Sequence, residues 1–324
     1  MIVTVSPSPA VDWTIELDHL VEGGVNRGVS KSREASGKGV NVSWALHKAG
    51  VETLTVFPSG GDTGEFIVKT LTTQGIPVEV VETDGGVRIN VTLTVKGRGD
   101  TKINTESAPL SSEAATQLRE LVSEKLHPGD VLVSCGSLPP GAPVDLHRHI
   151  IEQGHARGTT CVLDTSGSAL ESGILAKPHI IKPNAAELAE LVDCELTALG
   201  DVESACQKLI SSGLGAVLVS LGEDGALYVD SGVSIHGTTS NVVARNTVGA
   251  GDALLAGFLA GRFARNLEVG ASLGTGLLWA ASSVESPSTL FDVNPAHQSS
   301  ISLSDSFNRG QLLSTATRVQ GATR

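Results

Sequence analysis

Short apolar runs that read as strands alternate with segments of helical period through most of this chain, and that alternation constrains the fold more than any other feature. The strand-like runs are residues 54–57, 131–134, 161–164, 180–182 and 216–220, and helical spacing fills residues 112–125, 185–192 and 202–212. Repeated βα units of this kind close into an α/β fold, a largely parallel sheet covered by helices on both faces. Ligands gather at the carboxyl ends of the strands in such sheets. The 324 residues, 40% of them apolar, can build a large core as one domain or two. Two segments break the rhythm. Residues 12–16 alternate polar and apolar, with Trp13, Ile15 and Leu17 on one face, and residues 88–96 do the same with Ile89, Val91, Leu93 and Val95. They predict a small accessory sheet, a candidate lid, with residues 101–105 as its third strand. Its apolar face needs cover from the main domain, a bound substrate or the same sheet of a second subunit, so a homodimer through the lid is one expectation. From Gln298 the chain is polar and weakly patterned; a last helix is expected near residues 304–313, followed by a frayed end.

A net charge of −12 argues against bulk binding to nucleic acid or to an anionic membrane, so any phosphate site must be small and locally basic. No apolar segment approaches the ~20 residues of a membrane span. The chain opens directly on the strand-like Ile2-Val3-Thr4-Val5, without an export signal. Cys135, Cys161, Cys194 and Cys206 lack paired spacing and lie among apolar residues, as expected of reduced, buried thiols in a cytoplasm. His147 and His149 are two apart on a predicted helix and do not face each other, which disfavours a metal site.

The segment Asn246-Thr247-Val248-Gly249-Ala250-Gly251-Asp252 precedes a run of helical apolar spacing, Leu254, Leu255, Phe258 and Leu259, and so forms a helix mouth. Unpaired N–H groups and the helix dipole suit an anion there, and glycines let it approach the backbone. Asp252 is the odd member. A carboxylate beside a phosphate is justified by a metal or by a proton it must remove, and the alternative is a plain helix cap. A second mouth, Ser36-Gly37-Lys38-Gly39-Val40-Asn41, offers the mobile charge of Lys38 and the amide of Asn41, with a packed turn as the alternative. It lacks the Ser or Thr of a Walker A loop, and Leu254 stands where a dinucleotide fingerprint needs a third glycine. In Lys182-Pro183-Asn184-Ala185-Ala186-Glu187 a strand gives way to a helix; Asn184 and Glu187 form either a capping box or a magnesium site, direct or through water. Ser220-Leu221-Gly222-Glu223-Asp224-Gly225 reads as a nucleotide loop or an ordinary hairpin. Cys135-Gly136-Ser137-Leu138-Pro139-Pro140-Gly141 reads as a substrate-facing turn or a plain one. Arg27 and Arg88 flank the accessory strands and suit a substrate phosphate, although a lone arginine is commonly surface charge.

In this order, from Met1 to about His297, the motifs resemble the PfkB (ribokinase-like) carbohydrate kinases, most closely the branch of 1-phosphofructokinases and tagatose-6-phosphate kinases. The resemblance implies a ribokinase-like fold over residues 1–297, with lid strands in about 11–34 and 88–107 and a tail over 298–324. It implies ATP and Mg2+ as cofactors and a small sugar phosphate as substrate. Ser6-Pro7-Ser8-Pro9-Ala10-Val11-Asp12 is similar to the branch opening T-x-N-P-A-x-D, which gives Asp12 the sugar hydroxyls. Gly37, Lys38, Asn41, Arg27, Arg88 and Ser137 inherit contacts to the sugar phosphate. Lys182, Asn184, Glu187, Ser220, Gly222, Gly225 and Thr247 inherit the nucleotide, with Asn184 and Glu187 on magnesium. Asp252 becomes the base and Gly249, Ala250 and Gly251 the anion hole. Ser8 replaces the branch's usual Asn, Ser36 its first glycine of G-G-K-G, and residues 104–109 lack a glycine before Pro109. The expected reaction is phosphorylation of fructose 1-phosphate by ATP. Tagatose-6-phosphate kinase, 6-phosphofructokinase and a non-catalytic sugar-phosphate sensor stand as alternatives.

Overall fold

In the computed structural model, which describes residues 1–98 and 100–317, sixteen strands and nine α-helices are placed. The strands are β1 (Ile2–Val5), β2 (Ala10–Leu17), β3 (Ser30–Ser36), β4 (Thr53–Ser59), β5 (Val78–Glu82), β6 (Arg88–Val95), β7 (Thr101–Asn104) and β8 (Val131–Cys135). There follow β9 (Thr160–Asp164), β10 (Ile180–Ile181), β11 (Leu196–Ala198), β12 (Ala216–Ser220), β13 (Ala226–Asp230), β14 (Ser234–Thr239), β15 (Ile301–Ser304) and β16 (Leu312–Thr317). The helices are α1 (Lys38–Lys48), α2 (Gly61–Thr73), α3 (Ser112–Lys125), α4 (Leu146–Ala156), α5 (Gly167–Gly173), α6 (Ala185–Val192), α7 (Leu199–Ser211), α8 (Ala250–Leu259) and α9 (Val269–Glu285).

Ten strands form one sheet in the order β15-β14-β13-β12-β10-β9-β8-β1-β4-β5. From β12 to β5 every pairing is parallel, and β13, β14 and β15 continue it antiparallel. Alternate residues of one strand feed opposite cores. Val131 and Val133 pack toward α1, α8 and α9, while Leu132 packs toward α3 and α4; Leu218 and its neighbours Val217 and Val219 divide in the same way. This two-sided burial explains why the strands read as continuous apolar runs.

The accessory sheet has the order β3-β2-β6-β7. Its register sets Glu34, Asp12, Asn90 and Asn104 in one row across one face, and Arg33, Trp13, Val91 and Ile103 in a row on the other. The strand at residues 30–36 lacks the alternation that flags its neighbours. It sits on the apolar face through Arg33, whose guanidinium lies 5.3 Å from the Trp13 ring centre and 4.2 Å from that of Phe66.

The expected helix at residues 304–313 is corrected to a turn over 305–311 between two strands. Ile301–Ser304 adds to β14 as the sheet's last strand, and Leu312–Thr317 pairs with β11. Between them Phe307 is buried and Arg309 grips Glu203 with two hydrogen bonds, Nε at 2.5 Å and Nη2 at 2.9 Å. Ile301 and Leu303 follow a period of two, and tertiary pairing decides a segment whose own pattern is weak. The end of that tail, from residue 318, lies outside the described residues. Cys135, Cys161 and Cys206 are buried free thiols as expected, but Cys194 is exposed just after α6. Among the described residues no helix is long and apolar enough to cross a membrane.

Candidate active site

The carboxyl ends of β1, β8, β9, β10 and β12 meet the amino ends of α1, α6 and α8, and the sequence motifs lie on these termini. Gly249 stands before α8 with φ +81°, a left-handed conformation that glycine adopts without strain, and it turns the chain so that Ala250, Gly251 and Asp252 form the first helical turn. Asp252 does not cap that helix. Its buried carboxylate instead accepts from Asn41 Nδ2 at 2.8 Å, which joins the mouths of α1 and α8. The capping alternative is thereby removed.

Asp164, at the end of β9, organises the charge. It is fully buried and holds Lys38 Nζ at 2.7 Å on one carboxylate oxygen and Lys182 Nζ at 3.3 Å on the other. Burial alone would raise its pKa, but the two ammonium groups outweigh that and hold it below the usual carboxylate value. Burial would likewise lower the pKa of Lys38, yet the negative charges of Asp164, Glu187 and Asp252 hold it above its ordinary value. For Asp252 burial comes first and the Asp164 charge second, and together they push it up to about 6. A Cβ added to Gly251 would stand 3.3 Å from Lys182 Nζ, so that ammonium lies beside the first turn of α8. The sequence resemblance gives Lys182 to the nucleotide, whereas Asp164 belongs to none of its motifs and reads only as the last residue of a strand. A carboxylate at the carboxyl end of a buried parallel strand was the available signal.

On the accessory sheet, Asp12 Oδ1 accepts from Asn90 Nδ2 at 2.8 Å, and Arg88 opens β6 on the same face, half-buried. Burial lowers the pKa of Arg88, with the Asp12 charge partly offsetting it. Ser6 Oγ, Asn41 Oδ1, Arg88 Nε and Asn90 Oδ1 are buried with no hydrogen-bond partner among the described residues. Such groups suit a polar ligand. Ser8, in place of the usual Asn, is buried and bonded to Ser107 Oγ at 2.8 Å, and Ser36 is buried beneath the mouth of α1. Arg27 is not brought to this cluster. It lies in the exposed turn between β2 and β3, at the end of the lid away from Ala10.

The turn after β8 places Ser137 exposed at the same rim. Gly136 carries its chain through φ +94°, and its carbonyl accepts from Thr165 Oγ1 at 2.8 Å and His147 Nε2 at 3.0 Å. With Ser134 Oγ bonded to Nδ1 at 2.8 Å, both nitrogens of His147 serve this turn. Asn184 and Glu187 form a full capping box at α6, with bonds of 2.8 and 2.9 Å. Ser220 N–H donates to Pro183 O at 3.1 Å, which sets the 182–187 and 220–225 segments side by side. Gly222 and Gly225 bound the turn between β12 and β13, and a Cβ on Gly225 would stand 2.0 Å from Gly237 O. Thr247 is exposed just before α8. His155, Cys161 and His179 offer ligand atoms within 4.8 Å of one another, but at the amino ends of β9 and β10, opposite this site.

Residues 8–296 match the family described as pfkB family carbohydrate kinase. The chain is 35% identical over 257 residues to the ATP-dependent 6-phosphofructokinase isozyme 2 of Escherichia coli, covering 78% of this chain and 83% of that one. It is 34% identical over 261 residues to the 1-phosphofructokinase of Bacillus subtilis, covering 81% and 85%. The crystal structure of phosphofructokinase-2 from Escherichia coli in complex with potassium superposes with a TM-score of 0.87 at 31% identity, covering 92% of this chain and 97% of that chain. With the ribokinase-like sheet, its lid and the Asp252 helix mouth, these matches place the chain in the pfkB family of carbohydrate kinases, as an ATP-dependent phosphotransferase acting on a sugar hydroxyl.

Proposed function

We propose that the sugar is a ketohexose phosphate, and specifically that fructose 1-phosphate is phosphorylated at its 6-hydroxyl to give fructose 1,6-bisphosphate. The observation that carries the reading is the pairing of Asp252, a buried carboxyl poised near neutrality, with two lysines fixed on Asp164 beside the anion hole. Asp252 takes the hydroxyl proton as the oxygen bonds to the terminal phosphorus of ATP, and ADP leaves. The first-turn amides of α8, with Lys38 and Lys182, hold charge on the group in transfer. Asp12 and Asn90 orient sugar hydroxyls, and Arg88, whose buried Nε has no partner among the described residues, suits the substrate's own phosphate.

Magnesium fits the nucleotide end. The capping box uses one oxygen of Glu187, which leaves Oε1 and the second lone pair of Asn184 Oδ1 as oxygen donors suited to a water-bridged ion. When bound, that ion supplies positive charge to the phosphates. The lid's apolar face, with Ile103 exposed beside half-buried Trp13 and Val91, supports a homodimer through this sheet. Sedimentation of Ile103→Asp is expected to show monomers where the wild-type protein is dimeric, and an unchanged assembly would place the contact elsewhere.

Similarity to a 6-phosphofructokinase supports fructose 6-phosphate as the second reading. ADP release measured over fructose 1-phosphate, fructose 6-phosphate, tagatose 6-phosphate and the free ketohexoses separates these. A kcat/KM for fructose 1-phosphate at least about tenfold above the rest is expected. Preference for another sugar overturns the substrate, and binding without turnover overturns the enzyme in favour of a sensor.

A further inference from the structure

Glu34 belongs to none of the motifs above, yet its carboxylate accepts three hydrogen bonds from one segment of the main domain. The donors are Ser288 Oγ at 2.6 Å, Thr289 Oγ1 at 2.7 Å and the Thr289 amide at 3.2 Å. Glu34 is on β3, directly across from Asp12 on the lid face that carries the sugar-binding row. The segment it holds follows α9 and borders the anion hole. Thr289 is buried, and a Cβ added to Gly249 would stand 3.7 Å from its methyl group. The neighbouring residues repeat the contact in apolar form, since Leu290 packs on the cluster that contains Val11 and Ala35. Strand pairing from Asp12 to Glu34, hydrogen bonds from Glu34 to Thr289 and the close approach of Thr289 to Gly249 therefore link the sugar row to the residue that turns the backbone into α8.

We infer that Glu34 is a positioning residue that couples the seating of the sugar under the lid to the geometry of the anion hole. A substrate that draws Asp12 and β2 toward the cleft carries Glu34 with it, and its three bonds hold Thr289 against Gly249. Ligand at either site then favours the other, because one packed connection has to be ordered only once. The inference rests on the kinase reading for its ligands, but the mechanical connection stands on the contacts alone.

Two measurements separate these. In calorimetry, fructose 1-phosphate is expected to tighten binding of a non-hydrolysable ATP analogue by about tenfold in the wild-type protein, and by less than about twofold in Glu34→Ala and Thr289→Val. Asp252→Asn, which removes only the base, keeps the tenfold coupling. In hydrogen exchange without ligand, the amides of residues 249–252 are expected to exchange at least about tenfold faster in Glu34→Ala than in the wild-type protein, with β8 and β9 unchanged. Thr289→Val, which keeps shape and loses only the hydroxyl, shifts them in the same direction by less. Unchanged exchange at residues 249–252 in both variants overturns the inference, as does full coupling in Glu34→Ala. Failure of the wild-type protein to bind either ligand sinks the kinase reading instead, and the exchange result still decides the connection.

Discussion

Asp252→Asn is expected to lower turnover by about 10²- to 10⁴-fold with little change in sugar binding, and to make the folded protein more stable near neutral pH. The two effects share one cause. Burial, then the charge of Asp164, raise the carboxyl from its ordinary value to about 6. A carboxyl with a raised pKa binds its proton more tightly in the folded than in the unfolded state. Folding is therefore favoured least above both values, and stability declines as pH rises through the window between them. Above pH 6 the cost is on the order of 2–3 kcal/mol. Asparagine carries no charge to desolvate, and its amide oxygen still accepts from Asn41 Nδ2. Thermal melts of both proteins at about pH 8, beside the ADP-release assay, check the pair of effects. Wild-type turnover in the variant ends the role of Asp252 as base. A lower melting temperature contradicts the stored electrostatic cost.

Asp164→Asn is expected to act the other way on stability. It leaves two ammonium groups, one only 4% exposed, without the carboxylate between them. Removing one partner of such a buried arrangement costs roughly 3–5 kcal/mol. The depressed pKa of Asp164 fixes the sign with pH. Its stabilising contribution is present above the unfolded carboxylate value and is lost as pH falls through the lower folded value. The variant should therefore lie far below the wild-type protein in urea at neutral pH and approach it in acid. Equal stability at neutral pH would refute the clamp. In any active fraction, the acid limb of turnover should move to lower pH, because the Asp164 charge is one of the causes that raise Asp252.

The sequence was most legible where one physical pattern had one outcome. Strands buried on both faces read as unbroken apolar runs, and glycines before Asp252 marked a helix mouth, because few other arrangements use those residues in that order. It was least legible where tertiary contact decides. The lid strand at 30–36 carries Lys31 and Arg33 on its apolar side, which periodicity cannot flag until Trp13 and Phe66 lie beneath the guanidinium. Ile301 and Leu303 become strand because β14 offers an open edge. Asp164 and Glu34 take their importance from partners more than 120 and 250 residues away, Lys38 and the pair Ser288 and Thr289. Local spacing carries no trace of such pairs.

The most direct test of the central claim, that Asp252 must lose its proton before the sugar hydroxyl can attack ATP, is kcat of the wild-type protein measured from about pH 5 to pH 8 under saturating substrates. The account predicts a rate that climbs about tenfold per pH unit on the acid side and levels off above the point where Asp252, held above the ordinary carboxylate value, has lost its proton. A rate of phosphoryl transfer that is flat across this range, with both substrates bound throughout, would contradict it.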